Sequence, residues 1–158
     1  MPRFIINDKW YGWSAPEGEM KRAKRLLPLL TAVNLALSVA CGLIPTGVSR
    51  HNWVAFAATA ALVALAAEIV GVVRFCRAKS QMYQREFEAI DHFIRLPCLL
   101  HMLLTAAAVI AAVVSCIQNW TGWLDALLLI LLASTGACSF LVYNYYRALP
   151  TFEMKQPE

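Results

Sequence analysis

Long runs of apolar residues, separated by short polar segments, dominate the pattern of the chain. Four runs contain neither Lys nor Arg, and they cover residues 26–44, 53–73, 96–117 and 123–143. A helix needs about 20 apolar residues to cross roughly 30 Å of hydrocarbon, and each run has about that length. The pattern predicts four transmembrane helices and lacks the alternation that is typical of a membrane β-barrel.

The segments outside these runs are too short to form a separate soluble domain. An N-terminal arm (1–25) and a C-terminal tail (150–158) flank a transmembrane domain over 26–149, which includes a middle loop (74–95). Hydrophobic residues make up 59% of the chain, above the roughly one half that is usual for soluble domains. We therefore expect an all-α integral membrane protein, a four-helix bundle surrounded by the lipid bilayer.

Basic residues lie almost entirely on one side of the predicted bundle. Twelve of the fourteen Lys and Arg residues fall in the arm, the loop and the tail, Arg147 lies just beyond the fourth span next to the tail, and only Arg50 falls on the other side. Basic segments next to membrane spans stay in the cytoplasm, so both termini and the middle loop are predicted to be cytoplasmic. The net charge of +4 reflects this topology, and no nucleic-acid partner is expected.

The N-terminal arm has an aromatic part and a basic part. The stretch RFIINDKWYGW predicts a short hairpin with a turn at Asn7–Asp8, or an irregular segment at the lipid headgroups. Ser14 and Glu17 then form a capping box that begins a helix. We expect the arm to anchor at the membrane surface or to dock a partner. The side chains expected at anionic headgroups are Lys21, Arg22, Lys24 and Arg25.

The middle loop carries an amphipathic pattern. Met82, Phe87, Ile90 and Phe93 fall near one helical face, and most of the charged residues fall elsewhere. This pattern predicts a cytoplasmic helix that packs against the end of the bundle. The alternative is a helix that binds a partner or lipid.

A faint internal repeat relates the two halves of the chain. A shift of 70 residues pairs Arg25 with Arg95 and Trp53 with Trp123. The repeat favours two parallel helical hairpins related by an axis along the membrane normal. Chance similarity between spans rich in Leu and Ala is the competing explanation.

Glu68 is a carboxylate inside the second apolar run. A charge at membrane depth costs a few kcal/mol, so it normally faces the protein interior or water. The positions that share its helical face are all small, namely Ala57, Ala61, Ala64 and Gly71. Small residues allow close helix contact in lipid. Glu68 is therefore predicted to point into the bundle.

Each of the other three spans also carries a polar residue at a similar depth. Counted from the cytoplasmic boundary, Glu68 and His101 lie roughly 8 Å deep at 1.5 Å per residue, and Asn34 and Ser139 lie near the same layer. We expect these four side chains to meet, with Glu68 within a hydrogen bond or one water of His101. Such a pair can hold and release a proton, or it can simply join helices.

Cysteines suggest two weaker hypotheses. Cys98, His101, Glu68 and Cys138 have similar depth, and their chemistry suits zinc, although a single C-x-x-H on a helix is a weak signal. Cys41 and Cys116 both lie near the outer boundary and would pair if their helices touch. No cofactor can be named from the sequence.

Three classes of function are compatible with these patterns. The first, which we favour, is a non-catalytic accessory or interaction subunit that binds another membrane subunit or itself. The second is a small oligomeric transporter or channel with Glu68, His101, Asn34 and Ser139 on its pathway. The third is a membrane enzyme or a cofactor- or metal-binding protein. It is the least supported, because the chain has no serine elbow, H-E-x-x-H or phosphate loop.

Overall fold

Four long helices make up most of the chain. A computed structural model describes residues 10–79, 81–120 and 122–154. The helices are α1 (Glu17–Leu43), α2 (Asn52–Arg77), α3 (Gln84–Asn119) and α4 (Trp123–Arg147). All four are long and apolar enough to cross a membrane, which confirms the prediction of four apolar helices in an all-helical bundle.

The third helix is longer than its predicted span. The helix predicted in the middle loop and the span that follows it form the single helix α3, which begins at Gln84 and continues through Pro97. Met82 does not share the helical face of Ile90, as the pattern predicted, because it lies in a strand just before α3 begins. Both side chains are nevertheless buried, so the apolar side of this segment does pack against the protein.

The helices form a ring in which each contacts two neighbours. The α2–α3 contact is the most extensive, α1 and α3 both pack against α4, and the α1–α2 contact is the sparsest of the ring. Chain neighbours run antiparallel. The starts of α1 and α3 and the ends of α2 and α4 therefore share one end of the bundle, and the loops at 44–51 and 120–122 lie at the other.

A small antiparallel sheet joins three distant segments. Its strands are β1 (Trp10–Trp13), β2 (Gln81–Tyr83) and β3 (Thr151–Met154), in the order β2-β1-β3. Both edges of β1 are occupied, so β1 cannot pair with the residues before it in the predicted hairpin. Local sequence could not reveal the partners, because they come from the middle loop and the tail. The predicted turn at Asn7–Asp8 lies outside the described residues, as do Arg3, Lys9 and Lys155.

The sheet covers one end of the bundle, which we call the sheet end, and the opposite end is called the loop end. Trp13 of β1 packs edge-on against Phe75 of α2, with ring centroids 5.0 Å apart. Phe75 packs in the same way against Tyr146 of α4, at 5.6 Å. Aromatic pairs of this geometry add stability beyond the area they bury. The sheet end is therefore filled by a continuous apolar core.

The inner face of α2 matches the predicted stripe of small residues. Ala57, Ala61, Ala64, Glu68 and Gly71 are all buried, which confirms that this face points into the protein. The absence of side-chain bulk lets α3 approach closely, as expected for helices that pack in lipid. The stripe therefore sets the position of Glu68 relative to the neighbouring helices.

Candidate functional site

Four polar side chains, one from each helix, lie together in the interior. Asn34 of α1, Glu68 of α2, His101 of α3 and Ser139 of α4 are each at most 1% exposed. Buried polar groups are costly unless they are hydrogen-bonded. The convergence of these four residues in one layer confirms the prediction made from their depths.

The Ser139 hydroxyl is the centre of this cluster. Asn34 Nδ2 donates to Ser139 Oγ over 2.8 Å. The same oxygen lies 2.7 Å from Glu68 Oε2 and 2.8 Å from His101 Nδ1. Glu68 and His101 are thus joined by a serine hydroxyl, in the place where we expected a direct bond or a single water.

The hydrogens available to Ser139 restrict how this cluster can be protonated. A hydroxyl has one proton and two lone pairs, whereas the amide nitrogen of Asn34 can only donate. Asn34 therefore takes one lone pair. Ser139 must donate to one of its two remaining partners and accept from the other.

Two arrangements satisfy this requirement. In the first, Ser139 donates to an ionised Glu68 and accepts from a proton on His101 Nδ1. In the second, a protonated Glu68 donates to Ser139, which donates to an unprotonated Nδ1. The two differ by a shift of one proton along each of two short hydrogen bonds. This geometry would allow a proton to pass between His101 and Glu68 through Ser139.

The cluster also has unused hydrogen-bonding capacity. Asn34 Oδ1 and Glu68 Oε1 are buried and have no hydrogen-bond partner among the described residues. Most buried polar atoms have a partner, and the exceptions often mark a functional site or an ordered water. Each of these two oxygens therefore keeps lone pairs that can accept a further hydrogen bond.

A cavity connects His101 to the loop end. It has a volume of about 410 Å³ and lies where α1 and α2 are in sparse contact. Its wall includes Ser38, Cys41, Arg50, His101, Thr105 and Thr135. His101 Nδ1 is bonded to Ser139, and Nε2 makes no hydrogen bond to a described residue. The imidazole ring therefore separates the cavity from the rest of the cluster.

The opposite side of the cluster is closed. Leu27, Phe75, Ile94 and Val142 are fully buried in one apolar core between the cluster and the sheet. The two clefts described at the sheet end are not lined by any of the four cluster residues. Among the described pockets, the cavity from the loop end is the one lined by a member of the cluster, His101.

The metal and disulfide hypotheses find no support. No group of three or more His, Cys, Asp or Glu side chains within residues 10–79, 81–120 and 122–154 is placed to hold a metal ion. Cys98 lies beside the Glu68 carboxyl, but His101 directs Nδ1 at Ser139. Cys41 and Cys116 belong to the same apolar cluster, yet both are free thiols. Depth along a helix did not specify which way each side chain points.

The sequence missed the cavity and its polar wall. Thr105 and Thr135 fall on the polar stripes of their helices, but nothing in their spacing indicates that α1 and α2 diverge beside them. Thr105 donates to the His101 carbonyl over 2.8 Å, so its hydroxyl is largely committed to its own helix. No known family, curated protein or solved structure matches this chain.

Proposed function

We propose that this protein is a small multi-pass membrane transporter that couples a solute to proton uptake by the Glu68–Ser139–His101 relay. The observation that carries the proposal is the cavity that runs from the loop end to His101, with the relay behind it and the sheet end closed. Pockets of a few hundred Å³ with a few polar groups suit small molecules. A small transporter was the second of the three classes of function compatible with the sequence, and the cavity is the feature that favours it over the accessory subunit.

The orientation that we propose places both termini and the middle loop in the cytoplasm. The strong bias of basic residues supports it, as does the sheet, which gathers all three basic segments at one end. In this orientation the cavity opens to the outside. The proposed state is therefore open outward and closed inward.

Proton uptake follows from the two arrangements of the cluster. We start from an ionised Glu68 and a neutral His101 that carries its proton on Nδ1. A proton from the cavity binds Nε2, the Nδ1 proton moves to Ser139, and the Ser139 proton moves to Glu68. One proton has then entered, Glu68 is neutral and His101 is the Nε2 tautomer. Loss of this buried charge favours a second packing of α2 in which the sheet end opens, and there Glu68 releases the proton to the inside together with the solute.

Infrared difference spectroscopy at varied pH tests the relay without knowledge of the solute. In proteoliposomes, acidification should produce a carboxylic-acid C=O band that disappears in Glu68→Gln. Ser139→Ala should alter the pH dependence of that band, because the path from His101 is broken. Ser134→Ala is the matched control, since its hydroxyl bonds only to the Ile130 carbonyl of the same helix. A band that survives in Glu68→Gln refutes the assignment.

Transport is tested by an entrapped pH indicator. Proteoliposomes with an outward-facing cavity should acidify inside after an external acid pulse, and more so when a transported small solute is present. Glu68→Gln should reduce the rate to that of empty liposomes, and Ser134→Ala should not. If the wild-type protein, Glu68→Gln and empty liposomes all give the same rate of acidification over a range of small amphiphilic solutes, the transporter proposal is refuted.

The second candidate function is a non-catalytic accessory subunit. In this role the protein would bind a second copy of itself or another membrane subunit. The docking arm it relies on is engaged within the chain, because both edges of β1 are paired. Anionic headgroups remain the proposed contact of the basic start of α1. Lys24 donates to the Ala78 carbonyl over 2.8 Å and Lys21 pairs with Glu17 over 2.6 Å, which leaves Arg22 and Arg25 for lipid.

A further inference from the structure

A second, apolar groove runs along the outer surface between α2 and α3. It has a volume of about 610 Å³. Its floor on α2 is formed by Ala60, Ala64 and Ala67, and its wall on α3 includes Phe93, Leu96 and Leu100. The small side chains of α2 create this groove, because they leave space that larger residues on α3 do not fill. It is separate from the cavity that reaches His101.

Positive charge is concentrated where the groove meets the sheet end. His92 and Phe93 line the last part of the groove, and the Arg74 guanidinium lies 4.5 Å from the centre of the Phe93 ring. Arg74 also lines an adjoining cleft of about 660 Å³ together with Arg77, Lys79 and one carboxylate, Glu86. The three cations of this cleft form no ion pair with a described residue. The groove therefore ends in a cluster with excess positive charge.

The dimensions of the groove match one membrane leaflet. Ala60 and Arg74 are separated by about 21 Å along α2, at 1.5 Å per residue. One leaflet is roughly 20 Å thick when headgroups are included. The hydrocarbon begins next to Arg74 and its half-thickness is roughly 15 Å, so an acyl chain that starts at Arg74 would reach the middle of the membrane near Ala64, and the groove continues about one turn further to Ala60.

We infer that the groove and the adjoining cleft together bind one anionic phospholipid, with its phosphate at Arg74 and Arg77 and an acyl chain along α2 and α3. Basic pockets between helices on the cytoplasmic side are suited to anionic headgroups. A zwitterionic lipid would bring a quaternary ammonium toward three cations, so it should bind more weakly. The inference rests on the proposed membrane orientation but not on the proton relay, and the two can fail independently.

Native mass spectrometry of the detergent-purified protein tests this inference with two lipids of identical acyl chains, phosphatidylglycerol and phosphatidylcholine. We expect one phosphatidylglycerol to remain bound at activation energies that remove phosphatidylcholine. The double substitution Arg74→Gln, Arg77→Gln should weaken phosphatidylglycerol binding on the order of tenfold. Arg85→Gln, Arg147→Gln is the control for general surface charge, because both side chains are exposed and neither lines the groove or the cleft, and it should change binding of this one lipid by less than about twofold.

A second pair of variants tests the groove itself. Ala67→Phe should fill the groove and remove the bound lipid, whereas Ala66→Phe, at an exposed position outside the groove, should not. The inference would be overturned if the protein retained the two lipids equally. It would also be overturned if the Arg74→Gln, Arg77→Gln variant and the control double variant lost phosphatidylglycerol binding to the same extent. A dimer that Ala67→Phe converts to a monomer would also overturn it, because the groove would then hold a second copy of the chain.

Discussion

Gly71 of α2 lies directly against the backbone of Phe93 in α3, so closely that a β-carbon on Gly71 would be 2.1 Å from the Phe93 carbonyl oxygen. A backbone carbonyl in the middle of a helix cannot turn away as a flexible side chain can. This contact therefore fixes the distance between α2 and α3 near the sheet end, one helical turn from Glu68.

The first prediction follows from this contact. Gly71→Ala should force α2 and α3 apart and lower the free energy of unfolding by about 3 kcal/mol or more. Gly42→Ala is the matched control in α1, because a β-carbon there meets nothing within 4 Å. Alanine favours a helix over glycine by up to about 1 kcal/mol, so this control should be neutral or stabilising. Thermal unfolding in detergent measures both, and a Gly71→Ala protein as stable as Gly42→Ala would show that the helices are not in close contact.

The second prediction concerns the structural part played by the polar cluster. Glu68→Gln should retain most of the stability, because an amide still hydrogen-bonds the Ser139 hydroxyl. Glu68→Leu should cost about 1–3 kcal/mol, because it removes a buried partner of Ser139. The same unfolding assay compares the two variants. If both unfold alike, the bond to Ser139 contributes nothing to stability.

The third prediction tests access to the cavity. Cys41 lines the cavity that opens at the loop end, whereas Cys98 is fully buried next to Glu68. A small, charged thiol reagent should therefore modify Cys41 well before Cys98 in the folded protein. Peptide mass spectrometry over a time course gives the two rates. Faster modification of Cys98 would mean that the cluster is reached from another direction.

The fourth prediction tests the orientation in the membrane. In a variant without the five native cysteines, a membrane-impermeant maleimide added outside intact cells should label Arg50→Cys. Lys79→Cys should be labelled only after the membrane is permeabilised. The opposite result would reverse the topology, and the cavity would then open to the cytoplasm.

The four helices and the polar cluster could be predicted because both depend on distance along the helix axis, which runs across the membrane. Hydrocarbon thickness sets the length of an apolar run, and 1.5 Å per residue converts the positions of Glu68 and His101 into depth. The tilt between α1 and α2 is a property of packing across the whole bundle, so the cavity left no signal in either helix. The bridging role of Ser139 was missed for a related reason. Depth along a helix shows which side chains lie in the same layer, but it does not show which of their atoms are in contact.

The three-stranded sheet has a consequence for the order in which the protein is completed. Trp10 pairs with Met154 on one side and with Tyr83 on the other, so the central strand waits for a segment that the ribosome makes only after all four helices. Contacts so distant in sequence form late, because closing a long loop costs entropy before any contact forms. Until then the edge of β1 that faces β3 is unpaired, although β2 and the Phe75 ring beside Trp13 have already been synthesised. Closure of the sheet thus depends on a segment that is synthesised after α4, and a nascent chain stalled before Thr151 leaves one edge of β1 without its partner.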